Sequence, residues 1–278
     1  MSSVHPVTDP NAWGSSIDEA VNAVSRGGLI VLPTDTVYGI GADAFDAQAV
    51  AALLAAKGRG RQMPPPVLVP DTRTLDGLAT DVSADARALV ETFWPGGFTI
   101  ILPAQPSLAW DLGETHGTVA LRMPDHPAAL ALLRRTGPLA VSSANATGRP
   151  AALDVTTAQE QLGDSVTVYL DGGDAPGGVA STIVDATGPH LRVVREGAVS
   201  LERMRVIAPV LGLGEEPQEP DDEAQAPEPA SDAAGSDEVP SDGAAVVGDA
   251  PSEPGLVPAP TTDAAPTATT SDPEANDG

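Results

Sequence analysis

The chain has 278 residues, enough to bury a sizeable core in one large domain or two small ones, and it has no cysteine. That excludes disulfides, thiolate zinc sites and thiol catalysis. The formal charge of −25 is unevenly placed: all 14 Lys and Arg lie at or before Arg205, whereas 17 of the 39 acids lie from Gly212 onward.

In chain order, the opening MSSVHPVTDP lacks the basic start and apolar run of a secretory signal, and no later window approaches a membrane span. A cytoplasmic protein without membrane contact is expected. The spacing Ser16-Ile-Asp-Glu19 is that of a capping box and predicts a helix with Ile17, Ala20, Val21 and Val24 on one face, stopping at Gly27-Gly28. Leu29 to Leu32 is an unbroken apolar run between Gly and Pro, and reads as a strand buried on both faces. Asp46 caps a second helix through Ala56, with Gly58 just past its end. Residues 67–69 form a short strand, and Ser83 caps a helix to Phe93. Strands are expected at 98–102 and 119–121, a helix at 126–136 and a strand at 139–141. Thr157-Ala-Gln-Glu160 reads as another capping box. A strand at 166–170 ends at Asp171-Gly-Gly173. Residues 181–185 and 191–195 flank a turn as a hairpin, before a short helix over about 200–206. Helices alternating with short apolar strands place the fold in the α/β (α+β) class, around one twisted mixed sheet. The last 67 residues hold 11 prolines and neither a base nor an aromatic. They bury too little apolar surface to offset their ordering entropy, so 212–278 is expected to be a disordered acidic tail after a catalytic domain over 1–211. That domain keeps a formal −8, which argues against tight non-specific nucleic-acid binding.

Neither GxxxxGK[ST] nor a GxGxxG following a strand is present, so any use of ATP proceeds without either common phosphate cradle. Chemistry-bearing groups gather in a few stretches. PTDTVYGIG (33–41) sets hydroxyls and a carboxylate directly after the buried strand, where they orient a substrate or satisfy their own turn. Lys57-Gly-Arg59-Gly-Arg61, with the chain's one lysine, stands at a helix C-terminus. Its cations complement the helix dipole or grip a phosphate or carboxylate. Ser142 to Arg149 is a dense donor–acceptor loop; with no GxSxG elbow and no histidine nearby in sequence, it suits hydrogen bonding better than nucleophilic attack. No cluster of carboxylates or imidazoles suggests a resident metal, so none is assigned.

Seven pieces in order, PTDTVYGIGADAF (33–45), KGR (57–59), WPGGFTIIL (94–102), TVALRMPDHP (118–127), SSAN (142–145), GGVASTIVD (177–185) and LRVVREGAV (191–199), resemble the YrdC/Sua5 family of threonylcarbamoyl-AMP synthases. The resemblance covers about residues 14–205. It implies a single YrdC-like domain with flanking helices and a large concave cleft. It also implies synthesis of L-threonylcarbamoyladenylate and pyrophosphate from L-threonine, bicarbonate and ATP, for the N6-threonylcarbamoyl modification of adenosine 37 in tRNA. Carried onto matching positions, Lys57 and Arg59 neutralise reacting charge. Thr36, Arg122, Ser181 and the Val141 backbone hold threonine. Arg59, Met63, Thr118, Ser143, Asn145 and Arg195 hold ATP, with Mg²⁺ accompanying the nucleotide. The chain looks like the short form, which hands its product to separate tRNA threonylcarbamoyltransferase proteins with at most a weak tRNA contact of its own. It departs from the family pattern at Gly60, at Pro64-Pro65-Pro66 and at Leu68, where some members carry a histidine. The competing reading is a double-stranded RNA or tRNA-binding module of the same fold without synthase activity. The Lys57–Arg61 cluster favours that reading and the net acidity opposes it.

Overall fold

A computed structural model describes residues 2–176 and 178–217; the rest of the expected tail, from residue 218 on, lies outside the described residues. Among the described residues eleven strands form one mixed sheet. Its spatial order is β1 (Ser3–Pro6), β8 (Val168–Asp171), β2 (Ile30–Leu32), β3 (Gly39–Asp43), β7 (Leu139–Ser143), β4 (Val67–Leu68), β6 (Thr118–Arg122), β5 (Phe98–Pro103), β9 (Thr182–Asp185), β10 (Leu191–Arg195) and β11 (Val210–Leu211). Neighbours run parallel at β1–β8–β2, β4–β6, β5–β9 and β10–β11, and antiparallel elsewhere. The helices are α1 (Gly14–Ser25), α2 (Ala47–Ala56), α3 (Thr74–Leu78), α4 (Ala84–Phe93), α5 (Pro127–Thr136), α6 (Val155–Leu162) and α7 (Leu201–Arg205).

The apolar run of β2 is buried on both faces. Ile30 and Leu32 pack with α1 and α5, whereas Val31 packs with α2 and α6. Each such fully buried aliphatic side chain contributes ~1.5–3 kcal/mol. At the other end of the sheet, one face of β5, β6 and β9 (Phe98, Ile100, Leu102, Leu121, Val184) packs on α3, α4 and α7. Because side chains alternate along a strand, Thr99, Ile101, Ala120, Arg122 and Ile183 turn to the opposite face. There they line a cavity instead of a second core.

The predicted caps of α2 and α4 form: Asp46 accepts from the amides of Gln48 and Ala49, and Ser83 from that of Ala86. Two predicted capping boxes do not. α1 starts two residues before Ser16, whose hydroxyl donates instead to the Pro6 carbonyl at 2.8 Å and ties the helix to β1. α6 is capped by Asp154, which accepts from the Thr157 amide at 2.7 Å. The hairpin at 182–195 is present. Strand β3 lies just after the expected turn, in a stretch where no strand is expected from the sequence. Side chains at Gly39 and Gly41 would meet the Val141 methyls at 2.6 and 3.3 Å, so β3 can approach β7 only as a glycine-containing strand. Ordered contacts also run past the expected boundary at 211: Arg192 donates to the Glu215 carbonyl at 2.6 Å, and Arg205 pairs with the Glu215 carboxylate.

Candidate active site

The cavity measures about 400 Å³ and gathers residues from segments distant in sequence. The turn after β2 supplies Thr34, Thr36 and Tyr38, and the segment after α2 supplies Arg59 and Pro64 to Pro66. β6 supplies Thr118 and Arg122, and the end of β7 supplies Val141, Ser142 and Ser143. Ser181 and Arg195 come from the β9–β10 hairpin. Of the residues assigned from the sequence, Thr36, Arg59, Thr118, Arg122, Val141, Ser143, Ser181 and Arg195 line this one space; Lys57, Met63 and Asn145 do not.

Arg122 ends β6 with its guanidinium almost fully buried. Its Nη2 meets Asp35 at 2.6 Å, Nη1 donates to Thr36 Oγ1 at 3.0 Å, and Nε donates to the Gly96 carbonyl at 3.0 Å. Asp35 also accepts from the Asp125 amide at 3.0 Å, which fixes the carboxylate on both sides. Burial lowers the Arg122 pKa from its ordinary value, Asp35 opposes that shift, and the nearby Arg195 charge adds to it. Asp35 is the residue that sequence reasoning did not assign, although it stands between Thr34 and Thr36 in the motif. The turn also satisfies itself: Thr34 Oγ1 donates to the Val37 carbonyl at 2.7 Å, accepts from the Thr36 amide at 3.2 Å and lies 3.1 Å from Thr36 Oγ1. Tyr38 is structural, its hydroxyl donating to Gly173 and accepting from the Gly172 amide.

Arg195 closes the opposite wall. Nε and Nη2 donate to the Ser181 carbonyl at 3.1 and 2.7 Å, and Nη2 also reaches Ser181 Oγ at 3.0 Å. Ser181 Oγ in turn lies 2.8 Å from Thr99 Oγ1. Arg59 donates from Nη1 to Ser142 Oγ at 3.0 Å, while its buried Nε has no partner among the described residues. Burial and the Arg195 charge lower the Arg59 pKa. Three guanidiniums therefore face one space whose wall contains neither Asp nor Glu among the described residues. Cations held this close in a partly desolvated site are relieved by an anion, and their free N–H groups supply forked donors for phosphate or carboxylate oxygens.

The Lys57-Gly-Arg59-Gly-Arg61 cluster splits three ways. Only Arg59 faces the cavity. Arg61 is half-exposed and pairs with Asp111 at 2.7 Å. Lys57 is buried behind the wall, where Nζ donates to the carbonyls of Ser143 (2.5 Å) and Asn145 (2.7 Å) and to Asn145 Oδ1 (3.2 Å). Burial, reinforced by the Arg59 charge, pushes the Lys57 pKa down to about 8. Asn145 braces the same loop, donating to the carbonyls of Ala146 and Arg149. Met63 is exposed at the rim. Leu68, Ile101, Val141 and Ile183 give the cavity an apolar flank.

A family model described as telomere recombination (Sua5/YciO/YrdC) matches residues 22–197. A Mycobacterium tuberculosis relative is 54% identical over 213 residues, covering 77% of this chain and 97% of the relative. The Bacillus subtilis threonylcarbamoyl-AMP synthase is 36% identical over 211 residues, 73% of this chain and 61% of that protein. Among solved structures, Pyrococcus abyssi Sua5 complexed with L-threonine matches with a TM-score of 0.71 at 30% identity, covering 75% of this chain and 62% of that one. Escherichia coli YciO matches at 0.67 and 26%, covering 73% of this chain and all of that one.

Proposed function

The chain belongs to the Sua5/YciO/YrdC family, and from that premise we propose that its cleft makes L-threonylcarbamoyladenylate and pyrophosphate from L-threonine, bicarbonate and ATP. The observation that carries this reading is the convergence of Arg59, Arg122 and Arg195 on one cavity of small-molecule size whose wall, among the described residues, holds neither Asp nor Glu. An RNA-binding module would present its cations on an open surface, and here they point inward.

Bicarbonate gives up its hydroxyl as water to leave CO₂, whose carbon bonds to the amino nitrogen of threonine as that nitrogen loses a proton, giving a carbamate. A carbamate oxygen then attacks the α-phosphorus of ATP, and pyrophosphate leaves. The protein's part is positioning and charge neutralisation. Arg122, pinned by Asp35, holds the threonine carboxylate, with the Thr36 and Ser181 hydroxyls and the Val141 backbone around the amino acid. Arg59, Arg195, Thr118 and Ser143 hold the nucleotide. Lys57 and Asn145 act on it by holding the Ser142–Asn145 loop in place. Met63 has its side chain outside the cavity, so its contribution is through the backbone beside Pro64. Among the described residues the cavity wall offers Mg²⁺ no carboxylate, so the ion would arrive with the triphosphate and would supply charge neutralisation there. The product passes to separate tRNA threonylcarbamoyltransferase proteins in the cytoplasm; no described helix is long and apolar enough to cross a membrane.

Pyrophosphate release measured with ATP, Mg²⁺, bicarbonate and each amino acid in turn tests the proposal. Stimulation by threonine above the others is expected. Submicromolar tRNA binding at low salt without ATP turnover would instead favour the RNA-binding reading.

A further inference from the structure

We propose that Arg61 is a positioning residue that latches the 104–117 loop over the cavity and thereby sets how long the nucleotide is retained. The inference rests on the nucleotide reading above. The loop joins β5 to β6 and contributes Leu112 and Thr115 to the cavity wall; the Thr115 carbonyl accepts from both the amide (3.0 Å) and the hydroxyl (2.8 Å) of Thr118. The facing wall is the segment that carries Arg59 and Pro64 to Pro66. The two walls meet at Arg61. Its guanidinium pairs with Asp111 at 2.7 Å, and its carbonyl accepts from the Glu114 amide at 2.9 Å. Asp111 also accepts from the Gly113 amide at 3.1 Å, so the same carboxylate that holds Arg61 shapes the loop tip.

Gly113 shows how closely the walls are pressed. Its φ is +108°, and a side chain there would meet the Arg61 carbonyl oxygen at 2.6 Å, a backbone atom that cannot swing away. Beside it the rings of Phe45 and Trp110 stack with centroids 5.6 Å apart, although Phe45 is 43% exposed. The Arg61–Asp111 pair is itself exposed, 54% and 44%, so it adds little to global stability. A cross-brace of that strength between two cavity walls acts on local opening instead. Its cation is already neutralised by Asp111, which leaves Arg59 alone of the cluster to face the ligand.

The test uses the full chain and a fluorescent ATP analogue in stopped flow, with Arg61→Ala, Gly113→Ala, the double variant and Arg61→Lys. Arg61→Ala is expected to raise the dissociation rate about 3- to 10-fold, the gain from losing one exposed ionic cross-brace, and Gly113→Ala to raise it at least as much by forcing the loop off the Arg61 carbonyl. The double variant should exceed either single effect, because Arg61→Ala removes the pair with Asp111 while Gly113→Ala presses on the Arg61 carbonyl that receives the Glu114 amide, and Arg61→Lys should recover part of the loss. In Arg61→Ala, amide hydrogen exchange read without nucleotide should quicken across 110–116 while thermal melting stays near wild type. Unchanged exchange in Arg61→Ala, or quicker exchange with unchanged dissociation, would overturn the proposal. So would a turnover loss beyond about 100-fold at unchanged dissociation, the mark of a direct transition-state contact. A wild-type protein that binds no ATP would instead remove the functional premise, and the exchange data would still report whether Arg61 holds the loop.

Discussion

The cations at the end of α2 and the cations on the strands reach the cavity by different physics. Arg122 and Arg195 sit at the ends of β6 and β10, where pairing with neighbouring strands fixes the backbone. At Arg195 it does so through a β-bulge after Val193, which turns Arg195 off the core face that Val193 shares with Val184 and onto the cavity face with Ile183. Lys57, Arg59 and Arg61 follow a helix terminus with glycine between each pair, and each takes a different direction: behind the wall, into the cavity and onto the rim. Ladder pairing, with the bulge in β10, fixes the orientation of both strand-borne cations. A glycine-spaced helix end imposes no such orientation, so three cations in five residues there amount to one ligand contact, one internal brace and one clasp.

That contrast is broken most directly at Arg122. Arg122→Ala removes a buried guanidinium and leaves Asp35 without its cation, so stability measured by denaturant unfolding should fall by about 3–5 kcal/mol. Adenylate synthesis should fall at least about 10³-fold; a stable, active variant would dissolve the strand-side assignment. Arg59→Ala should behave oppositely in stability. Its guanidinium makes one hydrogen bond, to Ser142, so unfolding should shift by no more than about 1 kcal/mol, while kcat/KM for ATP drops about 100-fold.

Lys57→Met sharpens the comparison through pH. The folded-state pKa of about 8 lies below the ordinary lysine value, so the folded protein gives up this proton before the unfolded chain does. Where the unfolded state binds more protons, stability rises with pH, here from about 8 toward 10.5. Unfolding free energy of the wild type should therefore gain on that of Lys57→Met as pH climbs through this window, and parallel curves would place the titration elsewhere. The smallest effect is expected at Ser143→Ala. The backbone there, not the hydroxyl, receives Lys57, so stability should stay within ~0.5 kcal/mol and ATP affinity should weaken only a few-fold, as read by titration.

Much of the scaffold was legible because it follows local rules. The β2 run, the Asp46 and Ser83 caps and the β9–β10 hairpin needed no tertiary information. Ser16 and Thr157 misled because a serine or threonine three residues before an acid caps a helix only if its hydroxyl is free; the one is drawn to Pro6, and the other yields to Asp154. β3 was hidden by its glycines, whose reason lies on β7, a hundred residues further on. Among site residues Arg122 could be read by its strand position, whereas Arg195 faces the cavity only through the β-bulge after Val193, and the inward turn of Lys57 has as its acceptors carbonyls of a loop with no sequence signature of their own. Asp35 was visible in the motif but acquires its meaning only from Arg122, eighty-seven positions away.

The two outermost strands of the sheet have a consequence for behaviour in crowded solution. A sheet this broad, with one face partly open as a cleft, would invite strand addition at any long, flat margin. One margin is the four-residue β1, closed by Pro6, which has no amide hydrogen to offer an incoming chain. The other is the two-residue β11, followed at once by a turn clasped through Glu215 to Arg192 and Arg205. Both margins are too short to template another copy. The broad sheet can therefore keep its cleft open to substrates without inviting edge-to-edge association, and concentrated protein should resist growing into fibres.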